Sequence, residues 1–247
     1  MIREWDCGGW DAVLSLLIEI RLVAKQTYNY LKAQMETIYT VGHSTHNIEF
    51  FINLLNQFHI NCLIDIRTSP YSRIAPQFNK EQISNSLKSQ NIIYAHFDKE
   101  FGARHTKLSL LDENKKVDFD KVRATSEFKS GIDRLRDALK LNYVIAIMCS
   151  ESNPFDCHRF SMVSYQLAKE DFNVMHILRD GTVLSNASLE EQLLKKYQKK
   201  LPQTTLFESV TREEQLEIAY RLRGQEVAYA PNNQQSKKEF GGGDEHD

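Results

Sequence analysis

From residue 37 onward the apolar positions fall into short runs and helically spaced series that take turns along the chain. Thr37-Ile38-Tyr39-Thr40-Val41 is β-branched and aromatic, the composition of a strand. Thr45 or Asn47 then stands where a helix cap belongs, ahead of Ile48, Phe51, Ile52, Leu54, Leu55 and Phe58 at helical spacing. Residues 61–67 form a continuous apolar run, which suits a strand buried on both faces. A loop with Pro70 and Pro76 leads to a predicted helix over 80–88, and 92–96 reads as strand. A longer irregular stretch runs to Phe119. Helix is expected over 127–140, with Ile132, Leu135, Ala138 and Leu139 on one side. Then follow strand 143–148, helix 157–170, strand 173–178 and helix 188–199. Strands alternating with helices require right-handed crossovers, so the fold predicted is α/β: a three-layer α/β/α sandwich around a mostly parallel, roughly five-stranded, Rossmann-like sheet.

This pattern occupies residues 35–200. Residues 1–34 carry Trp5, Trp10 and an amphipathic run; they read equally as an extension upstream of a start at Met35 or as a helix docked on the core. Residues 201–247 read as a tail with one helix near 211–223 and a polar, glycine-rich, disordered end from Asn232. No internal repeat is visible.

Composition changes this picture little. The chain of 247 residues has 31 Lys and Arg against 33 Asp and Glu, a formal charge of −2 that excludes a uniformly basic nucleic-acid coat but not a local groove. Four cysteines are too few for a disulfide framework and imply reduced thiols and a cytoplasmic location. The most apolar stretch, residues 12–24, is short and broken by Glu19 and Arg21, so no membrane partner is expected.

Candidate chemistry follows from the predicted topology, because open parallel sheets bind ligands beyond the carboxyl ends of their strands. The first strand ends in Gly42-His43-Ser44 and the second in Asp65-Ile66-Arg67-Thr68-Ser69. Beyond the third, after His96, come Glu100, Gly102 and Arg104. The fourth ends in Cys149-Ser150-Glu151 and its loop delivers Cys157-His158-Arg159 to a helix start; the fifth carries His176. A helix N-terminus attracts anions and lowers a thiol pKa. His43 read alone is a capping residue, and Asp65 with Arg67 reads as a structural ion pair; their convergence on one edge is what argues for a site.

Val41-Gly42-His43-Ser44, Asp65-Ile66-Arg67 with Ser69-Pro70, Pro76-Gln77-Phe78-Asn79, and Met148-Cys149-Ser150-Glu151 with Cys157-His158-Arg159 resemble the family called domain of unknown function 488, in its Cys-His-Arg branch. The resemblance spans roughly residues 36–197. It implies the fold and the site rather than a reaction, since the family has no settled activity.

Three functions are expected from the residues. The first is an enzyme, a hydrolase or transferase, acting on a nucleotide or nucleic acid. In it Asp65, Cys149, Glu151, Cys157, His158 and His43 would serve catalysis, while Arg67, Arg73, Arg159, Ser44 and Ser69 would hold phosphate. It requires no cofactor. The second is a Zn or Fe site using Cys149, Cys157 and His158, although the C-x7-C-H spacing is no recognised zinc signature. The third is a non-enzymatic nucleic-acid-binding module, whose basic segment Lys195-Lys196 to Lys199-Lys200 also reads as a solvated helix face. Finally, Gln203-Thr204-Thr205-Leu206-Phe207 resembles a peptide that docks on the bacterial sliding clamp, with Gln203, Leu206 and Phe207 as its partner-binding residues.

Overall fold

The computed structural model describes residues 16–23, 27, 37–204 and 209–231. The chain divides into two units, Met1–Glu36 and Thr37–Asp247. Of the first, residues 16–23 form a helical segment with exposed side chains. Most of the 1–34 extension lies outside the described residues, as do Leu206, Phe207 and the end expected to be disordered.

The second unit is built on a six-stranded sheet, β1 (Thr37–Gly42), β2 (Cys62–Asp65), β3 (Ile93–His96), β4 (Ile145–Cys149), β5 (Asn173–Ile177) and β6 (Val183–Ser185), in the order β3-β2-β4-β1-β5-β6. Five strands are parallel. The sixth, absent from the expected five, pairs antiparallel with β5 at the edge through Met175↔Ser185 and Ile177↔Val183. Its three residues are too few to show an alternation of their own, which is why the sequence pattern passes over it.

Alternation along the strands sorts side chains to the two faces. Ile145, Ile147 and Cys149 of β4 join Ile38, Ile64 and Ile66 under helix α5 (Ser126–Lys140) and the segment leading to α6 (Tyr165–Lys169). Ala146 and Met148 join Val41 and Leu63 under α1 (Ile48–Gln57) and α2 (Lys80–Lys88). Asn47 caps α1, its side chain accepting from the Phe50 amide at 2.7 Å. Two short helices, α3 (Asp98–Phe101) and α4 (Phe119–Arg123), punctuate the stretch read as irregular. A third cluster, built from Phe160, Tyr165, Leu189, Leu193 and Tyr220, seats α7 (Asn186–Tyr197) and the last helix, α8 (Arg212–Val227). The α8 N-terminus is a complete capping box between Thr211 and Glu214.

The order of connections locates the crevice. β1 leads leftward through α1 to β2, whereas β4 leads past β1 to β5 through the opposite face. Neighbouring strands with diverging connections make a topological switch point at their carboxyl ends. Gly42 and Cys149, paired in register, stand on either side of it. No helix among the described residues is long and apolar enough to cross a membrane.

Candidate functional site at the carboxyl edge of the sheet

Two polar groups occupy this edge. The first is organised by Asp65, which is fully buried and accepts from Arg67 Nε at 2.9 Å, Arg67 Nη2 at 2.6 Å, the Arg67 amide at 3.0 Å and the Tyr94 hydroxyl at 2.7 Å. Arg67 Nη2 also donates to the Phe78 carbonyl at 2.8 Å, and Nη1 donates to His43 Nε2 at 3.1 Å. His43 must therefore be neutral, with Nδ1–H donating to the Ser44 carbonyl at 2.8 Å. Burial, then the adjacent Arg67 cation, lowers its pKa to about 4. The ring stacks on Phe78 at 4.4 Å. Arg67 thus spends most of its donors on protein acceptors. Tyr94 completes this network and was not singled out; its position two residues before His96 on the neighbouring strand was the available signal.

The second group grows from the β4 loop. Cys149 ends the strand; the Pro154–Asp156 turn, with Asn153 accepting from the Phe155 amide, then reverses the chain and brings Cys157 and His158 back. Glu151 Oε2 accepts from the Cys149 thiol at 3.0 Å and from Cys157 at 3.1 Å. His158 Nδ1 lies 3.6 Å from Cys149 Sγ and 3.8 Å from Cys157 Sγ. All four donor atoms fall within 4.8 Å of one another. Ligands of a tetrahedral zinc-class ion, bonded at about 2.0–2.3 Å, stand roughly 3.3–3.8 Å apart. The contacts at 3.0, 3.1, 3.6 and 3.8 Å lie near that spacing, and the rest of the set must draw in from within 4.8 Å to close on an ion.

Electrostatics agrees with this geometry. Burial raises the Cys149 thiol well above its ordinary value, helped by Cys157 and Glu151, and burial followed by Cys157 raises Glu151. For Cys157 burial pulls the same way, but the hydrogen bond from Cys149 and the charges of Arg159 and His158 overcome it and hold the thiol far below its usual range. Burial disfavours a charged His158, yet Cys157 and then Glu151 raise its pKa. The Arg159 amide also donates to Cys157 Sγ at 3.4 Å, so the helix start does act on this sulfur.

That helix opens as a π-helix, Arg159–Ser164, rather than the α-helix expected from residue 157. Such wide turns are often kept at functional sites. Arg159 is fully buried beneath the loop, donating through Nη1 to the Glu151 carbonyl and through Nη2 to Ser152 at 2.9 Å. It fastens the loop that carries Glu151. Gly42 serves the same contact from the other side: a Cβ there would meet the Glu151 carbonyl oxygen at 1.9 Å.

A cleft of about 210 Å³ opens above the cluster, lined by Cys149, Glu151, Cys157 and His158 with Ser69, Arg104, Val227 and Tyr229 among others. Ser69 is exposed in it. Ser44 is half-buried, its amide donating to the Ser150 carbonyl at 2.9 Å, while Arg73 is exposed and outside the cleft lining. His176 points away from the chemistry: it is buried between Thr40 Oγ1 at 2.8 Å and Asn186 Oδ1 at 3.1 Å, and burial lowers its pKa to about 3. Gln203 donates to the Leu201 carbonyl at 3.1 Å, whereas Leu206 and Phe207 fall outside the described residues. Arg223 was missed altogether. It reaches from α8 to the Phe155 carbonyl at 2.9 Å and to Asp156, bracing the cysteine loop. No local motif marks it, because its role exists only once α8 is packed.

Residues 47–166 match the model of the family described as Domain of unknown function DUF488, a stretch that includes Asp65, Arg67 and the whole β4 loop. No curated protein and no solved structure matches the chain.

Proposed function

For a chain that carries a DUF488 domain over residues 47–166, a family described without an activity, we propose a function from the site itself: a metal centre of the zinc class, held by Cys149, Cys157, His158 and Glu151, in an enzyme that acts on a phosphate-bearing substrate. The observation that carries this reading is the convergence of four donor atoms of soft and borderline type within 4.8 Å. Two sulfurs and an imidazole favour zinc or iron over magnesium or calcium. All four residues line an open cleft, which is the arrangement of a catalytic rather than a closed structural site. Glu151 is the exposed member of the four, whereas both cysteines are buried. With an ion bound, Glu151 would be the ligand most open to exchange for water or substrate, and its carboxylate would stand at the cleft to take a proton while the ion supplied Lewis-acid chemistry.

Phosphate recognition is assigned to Arg104 at the cleft rather than to Arg67 and Arg159, whose guanidiniums are engaged by Asp65, the Phe78 carbonyl and the Glu151 and Ser152 carbonyls. A reactive-thiol enzyme without metal would use the same Cys157–His158 pair, so the test must read the ion directly. The full chain, reconstituted with Co(II) and desalted, should hold one ion per chain with sulfur-to-cobalt absorption. Cys157→Ser should weaken binding by more than the roughly 10–100-fold typical of an outer-shell change. Absence of stoichiometric cobalt and zinc in the wild type, or equal retention in a Cys149→Ser/Cys157→Ser double variant, would sink the metal centre.

A further inference from the structure

The side walls of the cleft carry a pair of residues that the cluster does not use. Among the charged side chains lining it, Arg67 is closed on Asp65, Asp156 is held by Arg223, and Glu151 and His158 belong to the cluster. Arg104 differs. Its backbone is fixed, the amide donating to Thr68 Oγ1 at 3.1 Å, while Gly102 is wedged so tightly that a Cβ would meet the Asp98 carbonyl oxygen at 2.2 Å. Its exposed guanidinium, however, has no acidic partner among the described residues. It hovers 5.7 Å from the centroid of the Tyr229 ring, close to the outer limit of a cation–π contact.

Tyr229 comes from the segment after α8, beyond the stretch matched by the family. Its placement is built in: the Val117 amide donates to the Tyr229 carbonyl at 2.9 Å, and Lys116 Nζ donates to Gln225 at 2.8 Å. Two anchored backbone segments thus set one uncommitted guanidinium and one partly buried ring in the lining of the same cleft as the four-residue cluster.

We propose that Arg104 and Tyr229 form the recognition arm for a nucleoside monophosphate, the ring stacking on Tyr229 and the phosphate paired with Arg104. Planar rings are held by aromatic faces with little sequence preference, and guanidinium groups grip phosphate bidentately. A single uncommitted cation in the lining matches a single phosphate rather than a polyanion. The cleft volume, about 210 Å³, is smaller than an ordinary ligand pocket, so it takes one end of the ligand and leaves the rest at the mouth. The arm rests on the metal-centre reading only for what happens at the reacting end.

The test is titration calorimetry on the full chain with adenosine, cytidine, guanosine and uridine monophosphates, the matching nucleosides, inorganic phosphate and a short single-stranded oligonucleotide. At least one monophosphate should bind. Arg104→Ala should weaken it by about 10–100-fold, the loss expected for one charged hydrogen-bonded contact, and should leave nucleoside binding unchanged. Tyr229→Leu should weaken nucleoside and monophosphate alike, and both variants should keep their cobalt and melting temperature. Equal monophosphate affinity in wild type and Arg104→Ala, or binding of the oligonucleotide alone, overturns the arm. Stoichiometric metal without any monophosphate binding overturns the arm and leaves the metal centre standing. Monophosphate binding that is Arg104-dependent in a protein that takes no metal does the reverse.

Discussion

The two polar groups at the sheet edge sit on adjacent strands and are built from the same kinds of residue, yet they differ in how their valences are used. Around Asp65 nearly every donor and acceptor is closed: four donor groups reach the carboxylate, and Arg67 divides its own among Asp65, Phe78 and His43. Around Cys149 the donor atoms face one another, and a single carboxylate oxygen serves both sulfurs. The first arrangement fixes a strand end. The second concentrates ligating atoms that prefer an ion to each other. Charged and reactive residues at a strand tip are therefore no guide to function until their partners are counted.

The largest expected effect tests the closed half. Asp65→Ala leaves Arg67 buried and unpaired, which typically costs about 3–5 kcal/mol. Urea unfolding of metal-free protein should show that loss, while Cys157→Ser in the same metal-free background should change stability by less than about 1.5 kcal/mol, the scale of one ordinary hydrogen bond. Equal destabilisation by the two substitutions would break the comparison, because the cysteine loop would then be as much a part of the scaffold as the ion pair.

A second effect comes from the histidines that the scaffold keeps neutral. Folding lowers the pKa of His43 from 6.5 to about 4 and that of His176 from 6.5 to about 3, in both cases mainly by burial. Below pH 6.5 the unfolded chain therefore binds protons that the folded chain refuses. Stability is fully present above about pH 6.5 and falls as pH drops, by about 1.4 kcal/mol per pH unit for each group until its folded pKa is reached. His43→Gln, which can still accept from Arg67, should flatten the stability–pH curve between pH 6.5 and about 4. Parallel curves for variant and wild type would mean that His43 is not held neutral by the fold.

Much of this was legible in the sequence, and for physical reasons. Apolar runs such as Ile145–Met148 report a strand buried on both faces, and one cap residue, Asn47, marks the start of α1. Strand ends collect polar residues on one edge because parallel strands share a direction. That logic recovered Cys149, Glu151, Cys157 and His158 as neighbours. It could not say that Arg67 and Arg159 face inward to protein acceptors, since hydrogen-bond partners such as the Phe78 and Ser152 carbonyls carry no side-chain signature. Nor could it place Arg223 and Tyr229, whose contributions depend on the packing of α8 against α7 and Phe160. Spacing reports what one element carries, and it is silent on which distant element will close over it.

The smallest expected effect tests where the two halves touch. Gly42 stands between them, with His43 donating its amide to the Cys149 carbonyl at 3.0 Å and Ser44 donating to Ser150 at 2.9 Å. Alanine at position 42 would press its Cβ to 1.9 Å from the Glu151 carbonyl oxygen and 3.1 Å from Ser152 Cα, both of them backbone atoms that cannot rotate away. The loop must then lift, and Arg159 is fastened to the same two carbonyls, so Glu151 moves with it. Gly42→Ala should weaken cobalt binding by about 10–100-fold, the range for changes outside the ligand set. Urea stability of the metal-free protein should fall far less than in Asp65→Ala. Should cobalt affinity stay unchanged while stability collapses, Gly42 would belong to the closed half alone, and the open half would be free of the strand beside it.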